Sequence, residues 1–266
     1  VTDIHGNSSV CSMNITVTDD ENPAVTCPQD INQTADPGVC EASVIVPAPT
    51  VADNCAIATI VNDYNNAADA SDIYPVGTTT VTFTVTDIHG NFSVCSMDII
   101  ITDDEQPVIT CPADITVDND SSLCEADIIV PAITVADNCA VASIVNDYNN
   151  TSDASDVYPV GTTNIIWTVT DIHGNVSTCT QTIVVNDPEL PMITCPADIT
   201  QTADSGVCNA LVNVPAPSVT DNCAVATVVN DYNNTADASD VYPVGSTTVT
   251  WTVTDIHGNA TTCSMI

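Results

Sequence analysis

Thr80-Val81-Thr82-Phe83-Thr84-Val85-Thr86, followed by Asp87-Ile88-His89-Gly90-Asn91, decides the fold class of this chain. The first seven residues alternate strictly: Val81, Phe83 and Val85 take one face and four threonines the other, as a half-buried β-strand requires. Beyond the Asp-Ile-His-Gly-Asn turn, Cys95, Met97, Ile99 and Ile101 share a face, so a second strand returns along the first and closes a hairpin. The turn recurs at Thr2 to Asn7, Thr86 to Asn91, Thr170 to Asn175 and Thr254 to Asn259, each copy 84 residues after the last. So constant a spacing describes one folding unit repeated without insertion. The aromatic of the strand is Phe83 in one copy, then Trp167 and Trp251.

Upstream of this hairpin, Cys40, Ala42, Val44 and Val46 alternate in the same way. Turn signals separate the remaining segments: Asp36-Pro37-Gly38, Pro47-Ala48-Pro49, the cluster Asn62-Asp63-Tyr64-Asn65-Asn66, and Tyr74-Pro75-Val76-Gly77. No segment shows a helical period with caps. The residues predict an all-β sandwich of about seven short strands per repeat.

The 266 residues include 35 Asp and Glu and no Lys or Arg, a formal charge of −35. No ion pair with a basic side chain can form, so self-repulsion of about eleven charges per repeat must be offset by cations, hydrogen bonds or covalent links. Such a surface repels phosphate backbones and anionic lipid heads, which excludes nucleic acid and membrane surfaces as partners. A hydrophobic share of 44 % in regular alternation excludes a disordered acidic tail. Thirteen cysteines recur four to a period with no Cys-x-x-Cys spacing, a pattern that reads as disulfides formed in an oxidising compartment outside the cell. No apolar run is long enough to cross a bilayer. The chain starts and stops in mid-strand, at Val1 and Ile266, and is expected to be a section of a longer fibre.

Several motifs recur in fixed order: Ile109-Thr110-Cys111-Pro112, Ala136-Asp137-Asn138-Cys139, Tyr158-Pro159-Val160-Gly161-Thr162-Thr163, Trp167-Thr168-Val169-Thr170-Asp171 with Gly174-Asn175, and a final Cys179. Over essentially the whole chain this succession resembles the HYR, or hyalin repeat, module. The resemblance implies an immunoglobulin-like fold in extracellular proteins linked to adhesion. The expected organisation is tandem immunoglobulin-like β-sandwich repeats in a rod-like array: 1-20, the last strands of a preceding repeat, then 21-104, 105-188 and 189-266, the last truncated within its final strand. HYR arrays so poor in basic residues further resemble large bacterial surface adhesins, including SprB-type gliding-motility adhesins exported by type IX secretion, and depart from animal members of the family.

Disulfide partners can be argued from symmetry. Cys111 and Cys124 are equidistant from the turn near Asp118 and should face each other across a hairpin. Cys139 ends a loop and Cys179 starts the last strand, towards one end of a sandwich. The expected pairs are Cys27-Cys40, Cys55-Cys95, Cys111-Cys124, Cys139-Cys179, Cys195-Cys208 and Cys223-Cys263, leaving Cys11 to a partner before Val1.

A second constellation is acidic. Carboxylate runs ahead of prolines mark each repeat boundary: Asp19-Asp20-Glu21, Asp103-Asp104-Glu105, and Asp187 with Glu189. In such a sandwich the chain enters beside the loops holding Asp53 and Asp87, Asp137 and Asp171, or Asp221 and Asp255. Four or five carboxylates with Asn and backbone oxygens form the ligand set of a hard cation, Ca2+ rather than Mg2+ given the irregular geometry, and binding would lock one repeat against the next. The competing reading is a solvated acidic linker.

Each repeat's single histidine has no second His or Cys at ligand spacing and no nucleophile motif nearby, so it reads as a turn residue. Tyr74 reads as packing; Tyr64, set among Asn and Asp, reads as packing or as part of a carbohydrate-binding loop. Sequons such as Asn32-Gln33-Thr34, Asn91-Phe92-Ser93 and Asn175-Val176-Ser177 arise readily in a chain this rich in Asn, Ser and Thr. No catalytic residues emerge. The expected function is a structural, adhesive stalk whose partners are neighbouring repeats and an extracellular surface, glycan or protein. The alternative is an array whose repeated loops bind glycans or proteins with avidity.

Overall fold

The computed structural model describes residues 1–266. The chain divides into two compact units. The first is Val1–Pro107 together with the loops Asp137–Ala140 and Asp171–Asn175; the second is Val108–Ala136, Val141–Thr170 and Val176–Ile266. Strands and turns make up all of the regular structure, and no helix is long and apolar enough to cross a membrane.

In the first unit the strands are β1 (Ala24–Thr26), β2 (Ile31–Thr34), β3 (Glu41–Val44), β4 (Thr50–Ala52), β5 (Ile57–Asn62), β6 (Asp72–Pro75), β7 (Gly77–Asp87) and β8 (Phe92–Thr102). The expected hairpin is β7 and β8, in register from Gly77 opposite Ile101 to Thr86 opposite Phe92. β5 adds antiparallel to β7, and β2 adds to the far edge, parallel to β8, giving the order β2-β8-β7-β5. The ribbons β1-β4 and β3-β6 are both antiparallel. Ala42, Val44 and Tyr74 of the β3-β6 ribbon meet Val81, Phe83, Met97, Ile99 and Ile101 of the hairpin in one core, so the fold is the all-β, immunoglobulin-type sandwich. Eight strands form instead of about seven, and two of them, β7 and β8, run to eleven residues each.

The Asn62 cluster is a built corner. Asn62 is buried, its Oδ1 accepts the N–H groups of Tyr64 and Asn65, and its amide donates to Ala67 O. Tyr64 stacks on Tyr74 at 4.3 Å between ring centroids, and its hydroxyl donates to Ile73 O at 2.7 Å. Both tyrosines therefore pack.

The second unit holds two cores. Around Trp167 the sheet order is Ile115–Asp118, Val176–Asn186, Gly161–Asp171, Val141–Asn146, again with a parallel edge pairing, Ile115 opposite Ile183. Around Trp251 the sheet has three strands, Val225–Asn230, Val249–Asp255 and Ala260–Met265.

The disulfides do not follow the symmetry argument. The pairs formed are Cys27 with Cys95, Cys111 with Cys179, Cys195 with Cys263, Cys40 with Cys139, and Cys124 with Cys223. None of Cys27-Cys40, Cys55-Cys95, Cys111-Cys124, Cys139-Cys179, Cys195-Cys208 and Cys223-Cys263 forms; Cys55 and Cys208, like Cys11, are exposed free thiols. The expected hairpin between the first two cysteines does not exist, because β2 pairs in parallel with β8 and leaves β3 to β6. Cys27, just beyond β1, faces Cys95 of β8, while Cys40 at the mouth of β3 turns outward to Cys139 of the Asp137–Ala140 loop. Three bonds thus close a repeat on itself and two join consecutive repeats.

Candidate metal centre

The repeated turn is organised by its aspartate. Asp87 Oδ1 accepts the N–H groups of His89 and Asn91 at 2.8 and 2.9 Å, and Oδ2 accepts the Asn91 amide at 2.7 Å. Gly90 takes φ 96°, the left-handed region open to glycine. Asp171 and Asp255 repeat this pattern, and so does exposed Asp3, with nothing packed around it, so the geometry is encoded locally. Burial pushes the carboxyls of Asp87, Asp171 and Asp255 up, but the asparagine amides and the N–H donors of the turn outweigh it and hold all three below the usual carboxylate value.

The boundary aspartate is gripped from two loops. Asp103 accepts the Asn138 amide at 3.0 Å and lies 3.1 Å from His173 Nδ1, while its backbone carbonyl accepts the Asn175 amide at 3.2 Å. Asp19 makes the same contacts with Asn54, His89 and Asn91, and Asp187 with Asn222, His257 and Asn259. The side chains of Asp103 and Asp187 are fully buried. The Asn54 amide, then the Cys55 thiol, hold the Asp19 carboxyl down to about 2.

The third carboxylate comes from the Asp-Asn-Cys loop. Asp137 Oδ2 accepts the N–H groups of Cys139 and Ala140, and Asp221 Oδ2 those of Cys223 and Ala224. Asp53 Oδ2 accepts Cys55 N–H. Oδ1 of each of these three aspartates is buried and has no hydrogen-bond partner, as is Oδ1 of Asn138 and Asn222. In the first unit, one oxygen from each of Asp19, Asp53 and Asp87 lies within 4.8 Å of the others, and so do oxygens from Asp103, Asp137 and Asp171.

Three carboxylates this close, one with a desolvated oxygen that no donor reaches, are unfavourable without a positive charge, and the chain has no Lys or Arg to supply it. The donor set suits a hard, oxygen-seeking cation such as Ca2+. A Cys and the turn His also approach each set; at two of the sets Cys139 and Cys223 are committed to disulfides, which removes the thiolate a softer metal would use, while Cys55 of the first set is a free thiol.

Not every boundary acid joins the cluster. Glu105 turns back to accept Gly38 N–H and Glu189 accepts Ser122 N–H, each at 2.8 Å, while Asp20, Glu21 and Asp104 are exposed. The turn histidines, read from sequence as simple turn residues, orient the boundary aspartate, and Asn54, Asn138 and Asn222 share that task. The signal for them is the constant interval, 70 residues from each boundary Asp to its His and 35 to its Asn.

All-β, disulfide-bonded repeats with acidic clusters at the loops define an extracellular tandem-repeat protein. The chain belongs to the HYR domain family, whose model matches residues 18–101 and 186–266. It is similar to hyalin of Strongylocentrotus purpuratus, 31 % identical over 96 % of this chain and 21 % of that protein, and to hyalin of Lytechinus variegatus, 34 % identical over 97 % of this chain and 49 % of that protein. The chain therefore spans about a fifth and about half of these relatives. Among solved structures, Drosophila N-cadherin EC1-4 aligns over 93 % of this chain and 75 % of that one, at 10 % identity and a TM-score of 0.33. The relatives are animal hyalins, so the expected likeness to bacterial SprB-type adhesins, gliding motility and type IX secretion finds no support.

Proposed function

We propose that this chain is a section of an extracellular adhesive stalk in which each repeat is fastened to the next twice, by a disulfide and by a calcium centre. It has a structural role and no catalytic one. The observation that carries this reading is the coincidence of the two fastenings: Cys139 and Cys223, each bonded to a cysteine of the preceding repeat, lie two residues beyond Asp137 and Asp221, whose buried Oδ1 atoms lack a donor. Asp103, Asp137 and Asp171 would hold the ion, with Asn138 Oδ1 as a further oxygen, and the same roles fall to Asp19, Asp53 and Asp87, and to Asp187, Asp221 and Asp255. Bound Ca2+ supplies the positive charge that makes it favourable to bring boundary and loop acids together.

The test is calorimetric unfolding in calcium, in magnesium and in chelator. An ion bound only by the folded chain stabilises it by about 2.7 kcal/mol at a hundredfold excess over Kd. Calcium should raise Tm by several degrees and magnesium by less; identical Tm values in calcium and chelator would reject the centre. The adhesive target is an extracellular surface, glycan or protein. A glycan array probed with the chain separates a stalk from the alternative in which the loops themselves bind, a reading weakened by the packing of Tyr64 against Tyr74.

A further inference from the structure

The disulfides fall into two classes. Cys27-Cys95, Cys111-Cys179 and Cys195-Cys263 pack against the three cores, and each bridges a separation of 68 residues. Cys40-Cys139 and Cys124-Cys223 join loop to loop outside the strands, across 99 residues, which exceeds the 84-residue period. The first class leaves residues 95–111 and 179–195 uncovered, and these stretches hold the boundary linkers. Residues 103–107 and 187–191 have no regular structure, and Asp104, Glu105, Gln106, Pro188 and Leu190 are exposed. Exposed backbone outside any ladder is where proteases cut.

The second class covers these two gaps, Cys40-Cys139 the first and Cys124-Cys223 the second. All five closed loops then overlap in series, so no single backbone break between Cys27 and Cys263 separates the chain. The bonds also lay down two covalent routes. One passes from Cys27 to Cys95, along 16 residues to Cys111, and on to Cys179. The other passes from Cys40 to Cys139, back along 15 residues to Cys124, and on to Cys223. By either route one period reaches at most about 60 Å even with its sandwich unfolded, against about 290 Å for the same residues unbonded, at roughly 3.5 Å per residue.

We propose that the two junction disulfides are a bypass of the boundary linkers, so that a chain cut by a protease in a linker remains one tether and still passes load from repeat to repeat. The bypass extends the stalk reading through its disulfide pairing and is independent of the cation centre. Hydrolysis adds water across a peptide bond and leaves every S–S bond in place. Load that the cut linker carried then runs through Cys40-Cys139 or Cys124-Cys223.

The experiment uses the 266-residue chain, its free thiols alkylated so that no bond exchanges, and a glutamate-specific endoprotease. The five glutamates are Glu21, Glu41, Glu105, Glu125 and Glu189, so both linkers are cut. On a denaturing gel without reductant, where only covalent links count, complete digestion should release residues 1–21 and leave 22–266 as one species. Reduction should split that species into five fragments. A variant carrying Cys40→Ala, Cys124→Ala, Cys139→Ala and Cys223→Ala should instead part into 22–105, 106–189 and 190–266, and a mapped Cys111-Cys179 link will show that its repeats have closed. A parent that parts into single repeats without reductant would overturn the bypass, as would a closed variant that holds together like the parent. Pulled from its ends, the uncut parent should stop about 700 Å short of its reduced length. A difference half that size would mean that the first covalent route does not form.

Discussion

At the residue scale, two sets of side chains tie stability to pH in opposite directions. Asp87, Asp171 and Asp255 have folded pKa values below the unfolded value, which for Asp lies near 3.9. Their contribution is complete above that value and drains away as pH falls through the lowered folded ones. Melting temperature should therefore be flat near neutrality and fall below about pH 4, and Asp171→Asn should lose only its own turn's share of the acid-dependent part while being less stable at pH 7. Tyr74 and Tyr158 behave in the reverse sense. Burial, with the neighbouring Tyr64 or Tyr148 adding to it, pushes both phenols up to about 12. The unfolded value lies near 10, so their contribution is complete below that and is lost as pH rises towards 12. The chain has no Lys or Arg, but burial also pushes the Tyr148 and Tyr242 phenols up, and the hydrogen bond with Asp19 raises the Cys55 thiol, so these groups share the alkaline response. Tyr74→Phe with Tyr158→Phe should cost about 1 kcal/mol each at pH 7, for the hydroxyl bonds to Ala70 O and Ala154 O, and should flatten the alkaline loss. Parent and variant should therefore differ at pH 7 and converge by pH 11; a gap as wide at pH 11 as at pH 7 would show that the phenols do not control the loss.

At the scale of the element, the long hairpin was readable because its two faces alternate over eleven residues in each strand, and Val81, Phe83, Val85, Met97, Ile99 and Ile101 are buried as the pattern requires. β2 was not readable. Ile31-Asn32-Gln33-Thr34 is too short and polar to show a period, and its parallel partner β8 lies far along the chain. The disulfide error follows from this: four cysteines in a closed repeat allow three pairings, and none of these includes a bond to the next repeat. The carboxylate trio was legible as a set because its members recur at fixed intervals, but the orphaned Asp137 Oδ1 and the fully buried Asp103 side chain depend on packing that spacing does not encode. Gln181 offers a sharper test of what the hairpin needs. It is fully buried where the other repeats place Met97 and Met265; its amide donates to Ala113 O at 2.9 Å, and its oxygen accepts the Trp167 indole N–H at 3.4 Å. Gln181→Met should change stability by less than about 1.5 kcal/mol, because volume is kept. Gln181→Ala should cost about 2–4 kcal/mol through the cavity and the stranded polar groups. Equal urea midpoints for the two variants would mean that hydrogen bonds, not volume, decide the site.

For the whole molecule the governing fact is a charge of −35 with no basic side chain to offset it. Disulfides closing loops of 68 and 99 residues answer part of the problem, each worth about 4–5 kcal/mol in the chain-entropy account. They act on the unfolded chain and leave the repulsion in the folded one untouched. Cations must supply the rest, in one of two ways that salt can separate. A diffuse ion atmosphere screens all acids alike, so sodium chloride should raise Tm smoothly as the Debye length shrinks towards about 10 Å at 0.1 M. A built centre adds a saturable increment for calcium at matched ionic strength. The double variant Asp137→Asn, Asp221→Asn removes two of the orphaned carboxylate oxygens while keeping the side-chain shapes. It should retain the whole response to sodium chloride and lose most of the calcium increment, leaving only what the Asp19, Asp53 and Asp87 set contributes. If calcium raises the variant's Tm as far as the parent's, the ion is held by the acidic surface at large, and the three-carboxylate centre is not its site.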